Sequence, residues 1–467
     1  MHKLHLAELR DSWSAWLGVC LTFVATNFSL TLSALTLLSA VRALQSGQFA
    51  KYDSTALVIN PGENLFFCAI IGAIAISTAT SLVLDSRRGS LARLALSGAT
   101  PAQVTASIMV QLATVSVACS VLGDILAYAL LQPTLAYLAG EREGELPTPP
   151  AVYAVYPALA ANVLAVGVAM LGGWKQARRA SRIPPVEALR QAQGGQPVKM
   201  SVGRWIGSVL WALVIVGSYS AVPAVTAHRT KETFSNLLTG SMILLIVAAA
   251  FLACIAPLLV GPLTRLWTAA VPPLDPSWSL ARSTAVVKAP RLVKSVVPVM
   301  MTIGLLFGML AIFDTLLATL AANGYDNKLS SAGAATLLVT LFLPLLISLS
   351  SGVGSLIMMS KQRDAELALS GIVGTTPTQR LAMPIMEAII ITVTGTLLGL
   401  AMVAISVAFL AVSVPAAGFT FAFRPSWAMF AATLGATTLV TVAATLLPTL
   451  RSLRLPEPKV IARLVAE

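Results

Sequence analysis

The sequence predicts an all-α polytopic membrane protein of about ten transmembrane helices, and three observations carry that prediction. Of its 467 residues 57% are hydrophobic and only 11% charged, with a mean hydropathy of +0.83, where a soluble domain carries about 25% charged residues. Apolar runs of about 18 residues or more recur along the chain. Each can cross a hydrocarbon core about 30 Å thick as a helix, the form in which a chain satisfies its own backbone hydrogen bonds. The basic residues crowd into alternate connections: with the N-terminus inside, roughly 24 of the 31 Lys and Arg fall on the cytoplasmic side and roughly 7 outside. An even number of spans then puts both termini in the cytoplasm, and the Ala-rich composition without targeting features fits a bacterial plasma membrane.

The elements follow in order. HKLHLAELRDSWSAW, residues 2–16, carries Leu6, Leu9, Trp13 and Trp16 at helical spacing with Lys3, Arg10 and Asp11 between them, an amphipathic helix for the inner membrane surface. The first span, 15–41, is too long for a signal-peptide core and lacks a small-residue cleavage site, so it is retained. The second, 65–84, runs into the charged segment SRRGSLARLALSGATPAQV, 86–104, which leads into the third, 102–131. An outer loop, GEREGELPTPP at 140–150, reads as a solvated connection or as an attractor of cationic peptides, stiffened by proline. The fourth span, 152–173, is closed by RIPPVEALR. Spans five and six, 205–225 and 237–260, are followed by the seventh, 296–320, and the eighth, 334–359. KQRDAELALSGIVGTTPTQR, 361–380, then leads to the ninth, 381–412, and the tenth, 427–447, closed by PEPKVIAR.

The two charged segments are copies. A gapless constant offset pairs Arg87 with Arg363, Leu91 with Leu367, Gly98 with Gly374, Thr100 with Thr376, Pro101 with Pro377 and Gln103 with Gln379. A second frame aligns the string LALSG but requires an insertion before Thr-Pro. The gapless frame keeps the residues with a backbone role: Thr at the N-cap, Pro at the first helical position and Gln at the third form a capping box, and the preceding Gly suits a left-handed helix stop. Each segment reads as a short helix under the membrane, a Gly stop, a tight turn and a capped span. The chain therefore divides as 4+2+4: residues 1–193 as a first four-helix repeat with the amphipathic helix, 194–279 as two linking spans, and 280–467 as a second repeat, an internal duplication common in transporters.

No G-x-x-x-x-G-K-[ST] occurs, so the chain has no phosphate-cradling loop of its own. His2, His5 and His228 are too scattered for a metal site, and Cys20, Cys68, Cys119 and Cys254 sit within spans without a C-x-x-C spacing, as small apolar residues do. Nucleic acid is excluded as a partner, because the basic residues lack interleaved aromatics. Acidic residues within spans are costly and mark functional candidates. Asp124 and Asp314 fall at similar depth toward the outer leaflet and Glu387 near the inner end of span nine. The first two either face a shared outer cavity that meets a cationic substrate or serve as interfacial or interhelical hydrogen-bond partners.

The motifs R-x-x-x-L-A with G-A-T-P-x-Q, G-T-T-P-x-Q, and P-V-E-A-L-R after span four resemble those of the FtsX-like permeases of ABC transporters, the group that includes the MacB, LolC and BceB permeases. The ten-span layout looks most like the bacitracin-resistance branch, without its large extracellular domain. The resemblance implies a transport subunit that is not itself an enzyme and binds no cofactor. A separate ABC ATPase, two copies per chain, would use ATP and Mg and dock on Arg87, Arg88, Leu91, Gly98, Thr100, Pro101, Gln103, Arg363, Glu366, Leu367, Gly374, Thr376, Pro377 and Gln379. Its substrate would be amphiphilic, an antimicrobial peptide or a lipid, exported or extracted from the bilayer. Ser90 stands where the family often has Glu, and Glu366 occupies the matching place in the second repeat, so the two halves are expected to bind the ATPase unequally. An ion-coupled secondary transporter and a membrane signalling or scaffold protein are the alternatives.

Overall fold

Helices form wherever the apolar runs were found, and they are bounded by local stop signals. The computed structural model describes residues 13–47, 55–87, 98–140, 148–180, 200–226, 231–272, 275–324, 330–372 and 374–453, and among these no strand occurs. The first half comprises α1 (Trp13–Gln45), α2 (Thr55–Ser86), α3 (Pro101–Gly140) and α4 (Val155–Ala180). The linker comprises α5 (Val202–Ser220), the single turn α6 (Val222–Val225) and α7 (Lys231–Ala269). The second half comprises α8 (Pro276–Val287), α9 (Ala289–Ala322), α10 (Ser330–Met358), α11 (Ser360–Ile372), α12 (Pro377–Ala416) and α13 (Trp427–Leu453). Ten of these helices are long and apolar enough to span a membrane.

The two halves pack alike. In the first, α1 lies against α2, α3 and α4; in the second, α9 lies against α10, α12 and α13, while α3–α4 and α12–α13 complete the pattern. The buried core runs along α9, where Val296, Met300, Ile303, Leu305, Met309 and Ile312 are all enclosed. The linking helix α7 packs on α9 and α12, and α5 packs on α7, reaching α12 through the Tyr219 hydroxyl, which donates to the Ile405 carbonyl at 2.7 Å.

The halves meet asymmetrically, because α10 lies along both α1 and α2 whereas α9 meets α2 only slightly. Glycine permits the closest crossing: a Cβ added to Gly354 would stand 2.4 Å from the Gly18 carbonyl oxygen, and one on Gly18 would stand 2.3 Å from that of Gly354. One turn of backbone therefore rests directly on another. Along the same seam the Ser29 hydroxyl donates to the Leu343 carbonyl at 3.3 Å.

Three boundaries differ from expectation. The fifth span ends at Ser220 and restarts as α6, because Pro223 has no N–H to continue the helix. Helices α3 and α12 run to 40 residues each, about 60 Å at 1.5 Å per residue, twice the hydrocarbon thickness. Helix α8 is an addition, started by Asp275, whose carboxylate accepts from the Ser277 N–H at 2.9 Å, and by Pro276 at the first turn. Residues 2–12, the loop acids Glu141, Glu143 and Glu145, and the closing RIPPVEALR and PEPKVIAR motifs lie outside the described residues.

Candidate functional site

The two charged segments end in the same backbone device. In the second copy α11 stops at Gly374, which takes φ +104°. The Gly374 N–H bonds the Gly371 carbonyl at 3.1 Å, and the Thr375 N–H bonds that of Ser370 at 3.2 Å, a Schellman closure that needs a residue without Cβ strain. Thr376 then caps α12 reciprocally: its hydroxyl accepts from the Gln379 N–H at 3.3 Å, and the Gln379 side chain accepts from the Thr376 N–H at 3.0 Å. In the first copy Gly98 takes φ +96°, and the Thr100–Gln103 box closes at 3.3 and 2.9 Å. Pro101 and Pro377 open their helices. Gly98, Thr100, Pro101 and Gln103 are exposed, as are Gly374, Thr376 and Pro377. Residues 88–97, including Arg88 and Leu91, lie outside the described residues.

Behind each turn an arginine is held by the span that follows it. Arg363 donates through Nε to Glu387 Oε2 at 3.0 Å, and Arg87 donates through Nη1 to the Gln111 side-chain oxygen. The two pairs are related by the same offset that aligns the two turns, with a carboxylate in one half and an amide in the other. Arg87 additionally lies over the Trp16 ring, 5.6 Å from its centroid. Gln111 was not singled out from the sequence, although the offset that pairs Arg87 with Arg363 pairs Gln111 with Glu387.

These contacts divide the sequence-chosen residues into two groups. Arg363 is 6% exposed and Leu367 is 4%; both face inward, and Arg363 Nη1 also reaches the Thr445 carbonyl of α13 at 3.5 Å. Glu366 pairs with Lys288 and, at 3.9 Å, with Arg291, both at the start of α9. Arg363, Glu366 and Leu367 therefore fix α11 to the bundle, while Leu369 and Ile372 are exposed on it. Glu387 belongs to this anchor, apart from Asp124 and Asp314. Lys294 of α9 completes the basic end by pairing with Asp85 and donating to the Ser81 carbonyl at 3.2 Å, both on α2, an ion pair between the two halves.

The two remaining acids have different hydrogen-bond partners. Asp124 is enclosed where α1, α3 and α4 meet. Its Oδ1 accepts from Asn27 Nδ2 at 2.8 Å and from the Thr31 hydroxyl at 2.7 Å, and its Oδ2 accepts from Asn162 Nδ2 at 2.8 Å. Asp314, on α9, accepts from the Ser426 backbone N–H ahead of α13. Helices α3 and α9 are not packing partners, so the two acids sit at different helix junctions. The four cysteines are free thiols, with Cys20 and Cys119 hydrogen-bonded to one another across α1 and α3, and no cluster of three or more His, Cys, Asp or Glu occurs among the described residues.

Eight apolar helices in two like-packed halves joined by two more, each half turning at its basic end through a Gly-stopped, capped connection, define a multi-pass membrane permease. The FtsX-like permease C-terminal family matches the chain twice, over residues 65–185 and 338–456, together about half its length, and each match contains one of the turns. The chain belongs to the FtsX-like permease family, the transport subunits of ABC transporters. No curated protein matches it.

Proposed function

We propose that this chain couples two copies of a separate ABC ATPase, one at each turn, to the export or extraction of an amphiphilic molecule such as an antimicrobial peptide or a lipid. One observation carries the reading: the same exposed turn occurs twice, with matching φ at Gly98 and Gly374 and matching capping boxes. Basic loops that only fix topology need charge but not a duplicated cap. In this reading the turns lie in the cytoplasm, and ATPase closure moves α11 and its first-half counterpart, pulling on α2, α3, α10 and α12. The ten-span 4+2+4 layout supports placement near the bacitracin-resistance branch. The ion-coupled alternative draws on the intramembrane acids, and Asp124, already saturated by three donors, does not favour it.

The test is the double variant Gly98→Val, Gly374→Val. A Cβ at either position meets nothing within 4 Å, so the substitutions act through the backbone alone, at about 1–3 kcal/mol of strain each. Purified with its ATPase, the variant is expected to remain in the membrane while losing substrate-stimulated hydrolysis. Stimulation at the wild-type level, or a wild-type chain that reproducibly purifies without an ATPase, overturns the reading.

A further inference from the structure

Beside the α11 anchor is a recess that the coupling reading leaves unused. It is lined by Thr284 and Ala285 of α8, Lys288, Arg291 and Leu292 at the start of α9, Met359, Arg363 and Glu366 at the α10–α11 junction, and Glu387 of α12. Three of these side chains are cations and two are carboxylates, so the recess holds one positive charge in excess. The excess has a locus: Arg363 is more than nine-tenths buried, and its Nη2 atom has no hydrogen-bond partner although Nε and Nη1 are engaged. A buried guanidinium with an unused donor is costly until an acceptor reaches it. Lys288 and Arg291 are about one-third exposed and compete for a single carboxylate, Glu366.

We propose that this recess binds the phosphodiester of an anionic phospholipid from the leaflet at the basic end of the bundle. One phosphodiester at the mouth of the recess carries the single negative charge that neutralises the site and offers acceptor oxygens to Lys288 and Arg291, the two partly exposed cations, with the Arg363 guanidinium behind them adding its charge. A lipid suits the position, since basic recesses between the cytoplasmic ends of transmembrane helices take phospholipid head groups and the distribution of basic residues sets this end of the bundle on that side. Ala285, Leu292 and Met359 supply apolar lining, and Leu280 and Val287 stand exposed on the neighbouring α8, where acyl chains would lie. Inorganic phosphate shares the oxygen chemistry but has no tail for this apolar flank. Because phosphate and Glu366 draw on the same two cations, bound lipid would loosen the hold of α9 on α11. The inference needs no ATPase and goes beyond the coupling reading.

The full chain is purified in mild detergent and titrated by native mass spectrometry with phosphatidylglycerol, phosphatidylcholine or inorganic phosphate. Phosphatidylglycerol is expected to bind at one tight site per chain, ahead of phosphatidylcholine, with inorganic phosphate failing to displace it. Lys288→Gln with Arg291→Gln is expected to weaken that site about thirtyfold, at roughly fivefold per basic residue. Glu366→Gln, which keeps all three cations and removes their competitor, is expected to tighten it, a gain that a merely structural role for Glu366 would not produce. Equal binding of the two lipids, displacement by inorganic phosphate, or no change in the Glu366→Gln variant overturns the proposal.

Discussion

Replacing Glu387 separates charge from shape at the α11 anchor. The Arg363 Nε to Glu387 Oε2 distance of 3.0 Å corresponds to a gross attraction of about 5–6 kcal/mol at an effective dielectric of about 20. Most of that is offset by desolvation, so the measurable quantity is the cost of leaving Arg363 without its partner. Removing one member of a buried pair costs about 3–5 kcal/mol. Arg363 is 6% exposed but the Glu387 side chain is 24% exposed, and that access to solvent places Glu387→Ala near the lower end, at about 3 kcal/mol. Glu387→Gln keeps an acceptor for the charged donor, a bond of about 1.5 kcal/mol or more, and should lose only about half as much. The first half already contains that arrangement in Arg87 and Gln111. Unfolding free energies from denaturing-detergent titration of purified wild type, Glu387→Ala and Glu387→Gln check the order. Equal losses in the two variants, or both within about 0.5 kcal/mol of wild type as for an ordinary surface substitution, would refute the reasoning.

Two further predictions follow from the packing. Gly354→Leu should destabilise the chain by about 3 kcal/mol or more, beyond ordinary overpacking, because the obstacle 2.4 Å from its Cβ is the Gly18 backbone and no side chain can give way; wild-type thermal stability in Gly354→Leu would contradict the close crossing of α1 and α10. Asp124→Leu removes the acceptor of Thr31, of Asn162 and of one of the two Asn27 amide protons, the other staying on the Ser120 carbonyl, at about 1 kcal/mol or more each. Asp124→Asn should cost much less, since the Asn162 amide can turn its unpartnered Oδ1 toward the new donor. A thermal-unfolding series in which the two Asp124 variants lose the same stability would argue against the three-donor junction.

What could be read from the sequence was what is local or one-dimensional. Ten spans emerge because solvation by lipid depends on composition over a window, and the capping boxes emerge because Thr100–Gln103 and Thr376–Gln379 lie three residues apart. Partners set by helix rotation and crossing did not emerge. Asp124 and Asp314 share a depth, but depth is one coordinate, and the direction each side chain faces around its helix sends them into separate junctions. Glu387 was visible as an acid in a span, yet its tie to Arg363 depends on how α11 folds back against α12. Helix α8 escaped because twelve residues of mixed polarity give no span signal, and only the Asp275-Pro276 pair marked its start.

The repeat makes the two halves comparable position by position, and the comparison shows an inequality that the turns alone conceal. Where α11 is bound through Glu387 and Glu366, the matching positions of the first half hold Gln111 and Ser90. Ser90 lies outside the described residues, but a serine carries no charge and cannot reproduce the ion pairs of Glu366 wherever it lies. Two carboxylates fix the second turn, while an amide and the Trp16 ring hold Arg87. The Arg87–Gln111 bond has one charged member where the Arg363–Glu387 pair has two, and a cation over an aromatic ring contributes about 0.5–2 kcal/mol. The first turn therefore sets an uncharged acceptor, Gln111, where the second sets the carboxylate of Glu387. Its helix α2 is also joined to the other half by the Asp85–Lys294 pair, so a displacement of the first turn bears on α9, the most deeply packed of the described spans.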